Sequence, residues 1–268
     1  MSLDLDQRRA KNQDQIAAFV KQGALLLLSP LLGVALVLGL VTRNPLLFLV
    51  VLVIPYAAVA FVAWSSVKGY DQKLLSSLGA TPADEHAHAR LHNLAEGLGI
   101  AHGLPKPQLL LLPGEGWNAC TVPVPGAEPN QVAVVLSGAY VEALSRIELE
   151  GLLAQRLAHV RNGDVALGTF VAAVGSIPAI GGLLAPRAAA ALDADLEQLA
   201  DVAAVQMTRY PPGLAGALAR LEGVPTAVSA ATPLTAHLWL ADPLPAGGAE
   251  PFVPHPPLAD RVAMLREL

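Results

Sequence analysis

The sequence predicts a mostly helical α+β protein in which a transmembrane helical hairpin precedes a larger domain. Three observations predict this class. Of the 268 residues, 53% are hydrophobic and only 15% are charged, which is too apolar for an ordinary soluble domain. Two uncharged stretches of membrane-spanning length stand near the N-terminus. Further along the chain, leucines recur at helical spacing behind a helix-start signal.

The predicted hairpin consists of two uncharged stretches, residues 23–42 and 46–67. Each is about as long as a helix that crosses the hydrocarbon core of a bilayer. The polar break formed by Arg43, Asn44 and Pro45 predicts a tight turn between them, and Pro55 is tolerated as a kink in a membrane helix. The first stretch is too long for the apolar part of a signal peptide, and a second span follows at once. We therefore expect a transmembrane hairpin.

Basic residues predict which way the hairpin faces. The turn holds only Arg43, whereas basic residues flank the hairpin on both sides, at Arg8, Arg9, Lys11, Lys21, Lys68 and Lys73. An excess of Lys and Arg marks cytoplasmic segments. We therefore expect a cytoplasmic N-terminal segment, residues 1–22, and a cytoplasmic main domain, residues 69–268.

Charge and cysteine content exclude two other classes. The net charge is −5 and there is no long basic run, which argues against nucleic-acid binding. The single cysteine, Cys120, excludes an internal disulfide and a multi-cysteine metal site. A lone cysteine is usually a small core residue, and we expect that role for it.

One predicted helix carries a metal-like spacing. Ser145 and Glu148 form a capping box at its start, and leucines follow at helical intervals. Gln155 and His159 are one turn apart on this helix and share a face. Alone, this signal is weak, since a single histidine on a partly apolar helix is usually structural.

Six segments, in order along the chain, make the signal specific. They read "LHNLAEGLGIAHGLPKPQLLLL", "WNACTV", "IELEGLLAQRLAHVRNGDV", "LEQLADVAAVQMT", "TAHLWLADPL" and "HPPLADRVAMLREL". Together with the preceding hairpin, they resemble the HtpX-like membrane zinc metallopeptidases, which are of the gluzincin type. The resemblance covers nearly the whole chain. It implies a zincin-like domain with a small sheet and a location in a bacterial cell membrane.

The resemblance also implies where the site residues lie. The family binds zinc through both histidines of a His-Glu-x-x-His motif and through the glutamate of Glu-x-x-Ala-Asp. Carried over position by position, the remaining ligand positions are His159 and Glu197. Asp201 and Asn118 occupy supporting positions.

Two positions depart from the family pattern. Gln155 stands where the first histidine is expected, and Arg156 stands where the family places the glutamate that activates the metal-bound water. An amide oxygen is neutral and a poor ligand for zinc, which prefers Cys, His or carboxylate. A guanidinium stays protonated and cannot accept a proton from water. We therefore expect no intact catalytic residue and no cofactor, with the family's zinc lost or weakly held.

Without zinc, Glu197 would be a costly unpaired buried charge. One hypothesis is that Arg156 supplies the missing positive charge by pairing with Glu197, Asp201 or Glu150. The alternative is that Arg156 extends along the helix to reach water. His255 could act as a substitute metal ligand with His159 and Glu197, or simply belong to a proline-flanked turn before the last helix.

A third apolar stretch, residues 165–185, is long enough to span a membrane but contains Gly175, Ser176 and Pro178 in its middle. A single crossing would put His159 and Glu197 on opposite sides of the membrane. We therefore expect a short apolar hairpin that turns near Gly175 to Pro178 and either dips part-way into the bilayer or packs on the domain.

These observations favour a membrane pseudoprotease that acts as a scaffold or as a regulatory, peptide-binding protein, with polypeptide or membrane-protein partners. The alternative is an active zinc metalloendopeptidase of membrane-protein quality control with a remodelled site, using His159, Glu197 and His255 with Glu150 as base. A third interpretation is a metal-binding membrane protein without catalysis.

Overall fold

The computed structural model describes residues 5–114, 116–128, 130–193 and 195–268. Its helices and strands in chain order are α1 (Leu5–Thr42), α2 (Pro45–Lys68), α3 (Tyr70–Ser77), β1 (Thr81–Pro82), α4 (Ala89–His102), β2 (Gln108–Leu112), β3 (Ala119–Pro123), β4 (Val132–Ser137), α5 (Gly138–Ala143), α6 (Arg146–Asn162), α7 (Asp164–Gly175), α8 (Gly181–Ala189), α9 (Leu196–Thr208), α10 (Pro211–Ala219) and α11 (Leu258–Arg266), with a 3₁₀ turn at Ala236–Leu238. The predicted class, mostly helical with a small sheet, is confirmed.

Helices α1 and α2 form the N-terminal hairpin. Its turn follows from local chemistry: Arg43 adopts a left-handed conformation with φ 52°, and the Asn44 side chain accepts hydrogen bonds from the first free amides of α2. Pro45 begins α2, where its missing N–H is not needed. Helix α1 extends far beyond the predicted span, since it runs without interruption from Leu5.

Both helices of the hairpin are long and apolar enough to cross a membrane. Their most apolar windows are only 7% and 0% buried within the structure, so the described part of the chain does not cover them. Exposed apolar surface of this extent requires a partner, and two uncharged helices of this length are suited to lipid.

The sheet has four strands in the order β1-β2-β4-β3. Strands β2 and β4 are parallel, and the outer strands β1 and β3 are antiparallel to their neighbours. The segment after the 3₁₀ turn lies along the free edge of β3, where the amide of Leu240 donates to the carbonyl of Ala119 at 2.8 Å. Cys120 on β3 is 1% exposed, as expected for a core residue.

Helix α6 lies at the centre of the domain and positions the site. The predicted capping box is confirmed: Ser145 accepts from the amide of Glu148, and the Glu148 carboxylate accepts from the amide of Ser145. Gly151 allows close packing on α10, because a Cβ built there would lie 2.5 Å from the backbone nitrogen of Leu214. Gly163 ends the helix in a left-handed conformation with φ 77°.

The third apolar stretch forms two short helices, α7 and α8, joined by a turn at residues 176–180. Most of α7 is buried, and it packs on β3 and on both helices of the N-terminal hairpin. The ring of Phe170 makes an edge contact with Phe19 of α1 at 5.8 Å between centroids. Of the two placements that the sequence allows, the structure shows packing on the domain.

Candidate functional site

The site lies where α6 meets α9. The two helices cross so that His159 on α6 and Glu197 on α9 come together, with His159 Nε2 3.1 Å from Glu197 Oε1. The side chains that the sequence singles out on these helices are all buried, namely Gln155, Arg156, His159, Glu197 and Asp201.

Glu197 is the centre of the hydrogen-bond network. Its Oε2 atom accepts from the Gln155 side-chain amide at 2.9 Å, from Arg156 Nη2 at 2.8 Å and from Arg261 Nη2 at 3.2 Å. The contact between Oε1 and His159 is not aligned as a hydrogen bond, and Oε1 has no hydrogen-bond partner among the described residues. One carboxylate thus receives two guanidinium groups and an amide.

Arg156 pairs with Glu197, which confirms the hypothesis that it faces a carboxylate of the site. The alternative, that Arg156 reaches water, is wrong, because its side chain is only 1% exposed. The guanidinium also donates to Gln155 Oε1 at 2.5 Å and to the carbonyl of Leu238 at 3.3 Å. Its position is therefore fixed from several directions.

His159 is held from both ring nitrogens. Nδ1 lies 3.3 Å from Asp164 Oδ2, and Nε2 lies 3.2 Å from Arg156 Nη2. Burial opposes protonation of the ring, but the Glu197 and Asp164 carboxylates together outweigh it and raise the pKa of His159 above its ordinary value.

The electrostatics of Glu197 follow from its neighbours. Burial alone would raise the pKa of this carboxyl group, but the Arg156 guanidinium, the His159 ring and the Arg261 guanidinium hold it well below its usual range. Glu197 is therefore ionised at neutral pH even though its side chain is only 6% exposed.

Asp201 supports the site through Arg261, which we did not anticipate from the sequence. Arg261 Nε and Nη2 donate to the two oxygens of Asp201, both at 2.7 Å. Such a bidentate pair is among the stronger hydrogen-bonded contacts in proteins. Arg261 lies in the terminal segment "HPPLADRVAMLREL", which was singled out only for its resemblance.

Asp164 is the second site residue that sequence reasoning missed. It begins α7 and its side chain is 2% exposed. Besides His159, it contacts Arg8 and Asn12 of α1, at 3.3 Å and 3.1 Å from Oδ1. The signal in the sequence was its place five residues after His159, in "HVRNGD".

Asn118 lies beside the site but not in the Glu197 network. It is fully buried, and its side-chain amide donates to the carbonyls of Thr226 and Ala241, both at 2.9 Å. Its oxygen accepts from the amides of Ala119 and Ala241. Asn118 thus ties the start of β3 to two loops.

His255 makes its hydrogen bond elsewhere: its Nε2 lies 3.0 Å from the carbonyl oxygen of Trp239. Within the described residues, no group of three or more His, Cys, Asp or Glu side chains is arranged to hold a metal ion. The structure does not bring His255 into a ligand group with His159 and Glu197.

The donors present do not suit zinc. A zinc site needs His and carboxylate atoms directed at one point, with positive charge kept away from it. Here Arg156 Nη2 lies 2.8 Å from Glu197 Oε2 and 3.2 Å from His159 Nε2, so a permanent cation contacts both ligand positions. Gln155 adds a neutral amide whose oxygen is already bonded to Arg156.

The space next to these residues is small. A cavity of about 10 Å³ is lined by Arg156, His159, Glu197 and His237 together with Asp164 and neighbouring apolar residues. Such a volume is at the lower limit of what can hold one water molecule. A peptide bond does not fit beside Glu197 in this conformation.

The known proteins that are similar to this chain share one description. The chain is similar to the protease HtpX homologue of Dictyoglomus thermophilum, with 31% identity over 248 residues covering 80% of this chain and 81% of the relative. It is also similar to the protease HtpX homologue of Tropheryma whipplei strain Twist, with 31% identity covering 83% and 85% of the two chains. The homologue of Thermoanaerobacter pseudethanolicus is 27% identical over 76% of this chain and 80% of its own. No family model and no solved structure matches the chain.

Proposed function

Because the chain belongs to the HtpX family of membrane metallopeptidases, we propose that it is a pseudoprotease of that family, which keeps the fold but has no working zinc site. The observation that carries the proposal is the position of Arg156, whose guanidinium lies 2.8 Å from Glu197 and 3.2 Å from His159. A cation at this point competes with a divalent metal for the same two side chains.

Charge balance supports the proposal. Exchanging a glutamate for an arginine raises the formal charge by two, which is the charge of a zinc ion. The three buried carboxylates of the site, Glu197, Asp201 and Asp164, face three guanidinium groups, Arg156, Arg261 and Arg8. Arg156 thus supplies charge in place of a metal, and each of the three buried carboxylates named here has a guanidinium partner.

The residues at the site cannot perform the family's hydrolysis step. Arg156 cannot accept a proton from water, and a lost general base typically costs about 10²–10⁴ in rate. Burial lowers the pKa of Arg156, but a guanidinium stays charged in proteins, and Glu197 further favours its charged form.

We propose that the protein acts as a scaffold or regulatory protein in the membrane, with polypeptide or membrane-protein partners. The space beside Glu197 is too small to hold a peptide in this conformation. We therefore expect a partner to bind at another surface of the protein. The exposed apolar helix α2, which has no buried residue, offers one such surface within the bilayer.

For the orientation, we propose that the N-terminus and the main domain face the cytoplasm. The asymmetry of basic residues around the hairpin supports this. Contacts of Arg8 and Asn12 with Asp164 support the placement of the start of α1 and the domain on one side of the membrane, whichever side that is.

A protease assay tests the proposal. The purified full-length protein in detergent is incubated with casein and zinc, with and without a chelator, beside the variant Gln155→His, Arg156→Glu. We expect no chelator-sensitive cleavage by the natural protein and a gain of such cleavage in the variant. Chelator-sensitive cleavage by the natural protein would refute the proposal and favour an active enzyme with a remodelled site.

A further inference from the structure

The first turns of α1 dock on the domain before the helix becomes apolar. Four residues make these contacts, and we call them the α1 latch: Arg8, Arg9, Lys11 and Asn12. Arg9 Nε donates to the carbonyl of Arg161 in the last turn of α6 at 2.7 Å. Lys11 Nζ donates to Asp193 at 2.9 Å.

The two remaining latch residues converge on Asp164. Arg8 Nε and the Asn12 amide lie 3.3 Å and 3.1 Å from its Oδ1, while Nδ1 of His159 lies 3.3 Å from its Oδ2. Arg8 Nη2 also lies 3.5 Å from Oδ2. Asp164 is therefore a bridge that contacts α1 through both carboxylate oxygens and the site through Oδ2.

This bridge is shielded from water. Asn12 is 6% exposed, and the side chains of Arg8 and Asp164 are 12% and 2% exposed. Removing one partner of a buried ion pair leaves the other charge uncompensated, which is strongly destabilising locally. The orientation of Asp164 thus depends on α1 as much as on its own helix.

We propose that Arg8 and Asn12 are positioning residues of the site: by holding Asp164 they fix the His159 ring, and with the rest of the α1 latch they join the membrane hairpin and the site into one conformational unit. A displacement of α1, caused for example by a partner helix in the membrane, reaches the site through Asp164. This coupling is the same whether or not the site cleaves peptides, so its test is independent of the proposed function.

The single native cysteine provides the reporter. Cys120 on β3 belongs to the same hydrophobic cluster as Ala172 and Ala173 of α7, α7 packs on β3, and α7 begins at Asp164. Burial raises the pKa of the Cys120 thiol to about 12, so the thiol reacts only when the structure around it opens. The rate at which a maleimide labels Cys120 in the full-length protein, in detergent micelles, therefore measures opening of α7 over β3.

We expect the double variant Arg8→Ala, Asn12→Ala to increase the labelling rate about tenfold or more. It loses hydrogen bonds to the charged Asp164 carboxylate, and this loss lowers the free energy of local opening. The single variant Arg8→Lys keeps the charge and leaves Asn12 in place, and it should keep most of the protection of Cys120. Lys21→Ala removes an exposed cation from the same helix and should stay within about twofold of the natural protein.

Two results would overturn the proposal. The first is a double variant that labels within about twofold of the natural protein, which would mean that α1 is only a mechanical support. The second concerns Gly151→Ala, which destabilises the domain far from α1. If Gly151→Ala and the double variant lose the same thermal stability and label at the same rate, the opening is global and not specific to α1. If the double variant loses its native helix content, Asn12→Ala alone is judged by the same two criteria.

Discussion

The side chains of Arg156 and Glu197 are 1% and 6% exposed, and their charged atoms are 2.8 Å apart. Burying two charges is costly, and the pair persists because each group has further hydrogen bonds. Glu197 also receives Gln155 and Arg261, and Arg156 also donates to the Leu238 carbonyl. The stability of the site therefore depends on the whole network and not on one contact.

Removing this cation should be costly. We expect Arg156→Met to lower the free energy of unfolding by about 3 kcal/mol, because it leaves a buried carboxylate short of positive charge. The matched control is Arg220→Met, since Arg220 lies at the same 2.8 Å distance from Glu148 but its side chain is 44% exposed. For that exposed pair we expect a change below about 1 kcal/mol. Thermal or denaturant unfolding of both variants in mild detergent checks this, and equal losses would contradict it.

The cost of Arg156→Met should also depend on pH. Arg156 contributes to holding the folded-state pKa of Glu197 below the unfolded value of about 4.3, so this group stabilises the protein above that pH and the contribution is lost on acidification. In Arg156→Met the folded-state pKa of Glu197 is depressed less, so acidification removes less stability from the variant than from the natural protein. The difference in unfolding free energy between the two proteins should therefore shrink as the pH falls from about 6 to about 3. A difference that is constant with pH would mean that Arg156 does not act through the charge of Glu197.

Among single residues, the sequence allows Arg156 to pair with Glu197, Asp201 or Glu150 or to extend to water, and the structure selects Glu197. Arg156 and Glu197 could be placed near each other in advance because each occupies a recognisable motif position and the motifs of the family meet at one site. Arg261 and Arg8 carry no such local signal, and Asp164 is indicated only by its place five residues after His159. The carboxylate partners of Arg261 and Arg8 lie 60 and 156 positions away in the chain, and only the packing of α11 and α1 on the domain brings them together.

At the scale of elements, close helix contacts are made possible by glycine. Gly151 on α6 has no room for a side chain, because its Cβ would meet the backbone of Gly213 and Leu214 at 2.5–2.8 Å. In the α7–α8 pair, a Cβ on Gly181 would lie 2.2 Å from the carbonyl oxygen of Gly175. The sequence indicates glycines as interruptions of a helix, but it does not show that they are contact points.

A pair of glycine substitutions tests this packing. We expect Gly151→Ala to destabilise the domain by about 1–3 kcal/mol, since backbone atoms of α10 must move to admit the methyl group. The control is Gly97→Ala in α4, where nothing lies within 4 Å of the added carbon. There we expect a gain of about 0.5–1 kcal/mol from helix propensity. The midpoints of thermal unfolding decide, and a neutral Gly151→Ala would contradict the close contact of α6 and α10.

Some element boundaries are set by neighbouring residues in the sequence, whereas others depend on tertiary contacts. The hairpin turn and the start of α6 follow from local chemistry, at Asn44 and Pro45 and at Ser145 and Glu148, and could be predicted. The continuation of α1 down to Leu5 could not, because residues 5–15 are mostly polar and carry no apolar repeat that would predict docking on the domain.

Across the whole molecule, the hairpin and the domain are joined by the polar contacts of the α1 latch and by the packing of α7 on both hairpin helices. The apolar part of the hairpin stays exposed, whereas the α1 latch and the ring of Phe19 contact the domain. The site is thus buried from three directions, by α9, by α11 through Arg261, and by α1 through Asp164. A cleft that admits a polypeptide would need several of these contacts to open together.

If the Arg156 cation takes the place of a metal ion, the natural protein should hold little zinc, and its zinc content can be measured. The full-length protein is loaded with zinc, desalted and analysed by atomic emission, beside the variant Gln155→His, Arg156→Glu. We expect the natural protein to retain less than about 0.1 zinc per chain and the variant to retain about one, because the variant offers two histidines and a carboxylate without a competing cation. About one zinc per natural chain, lost on Glu197→Gln, would contradict the account.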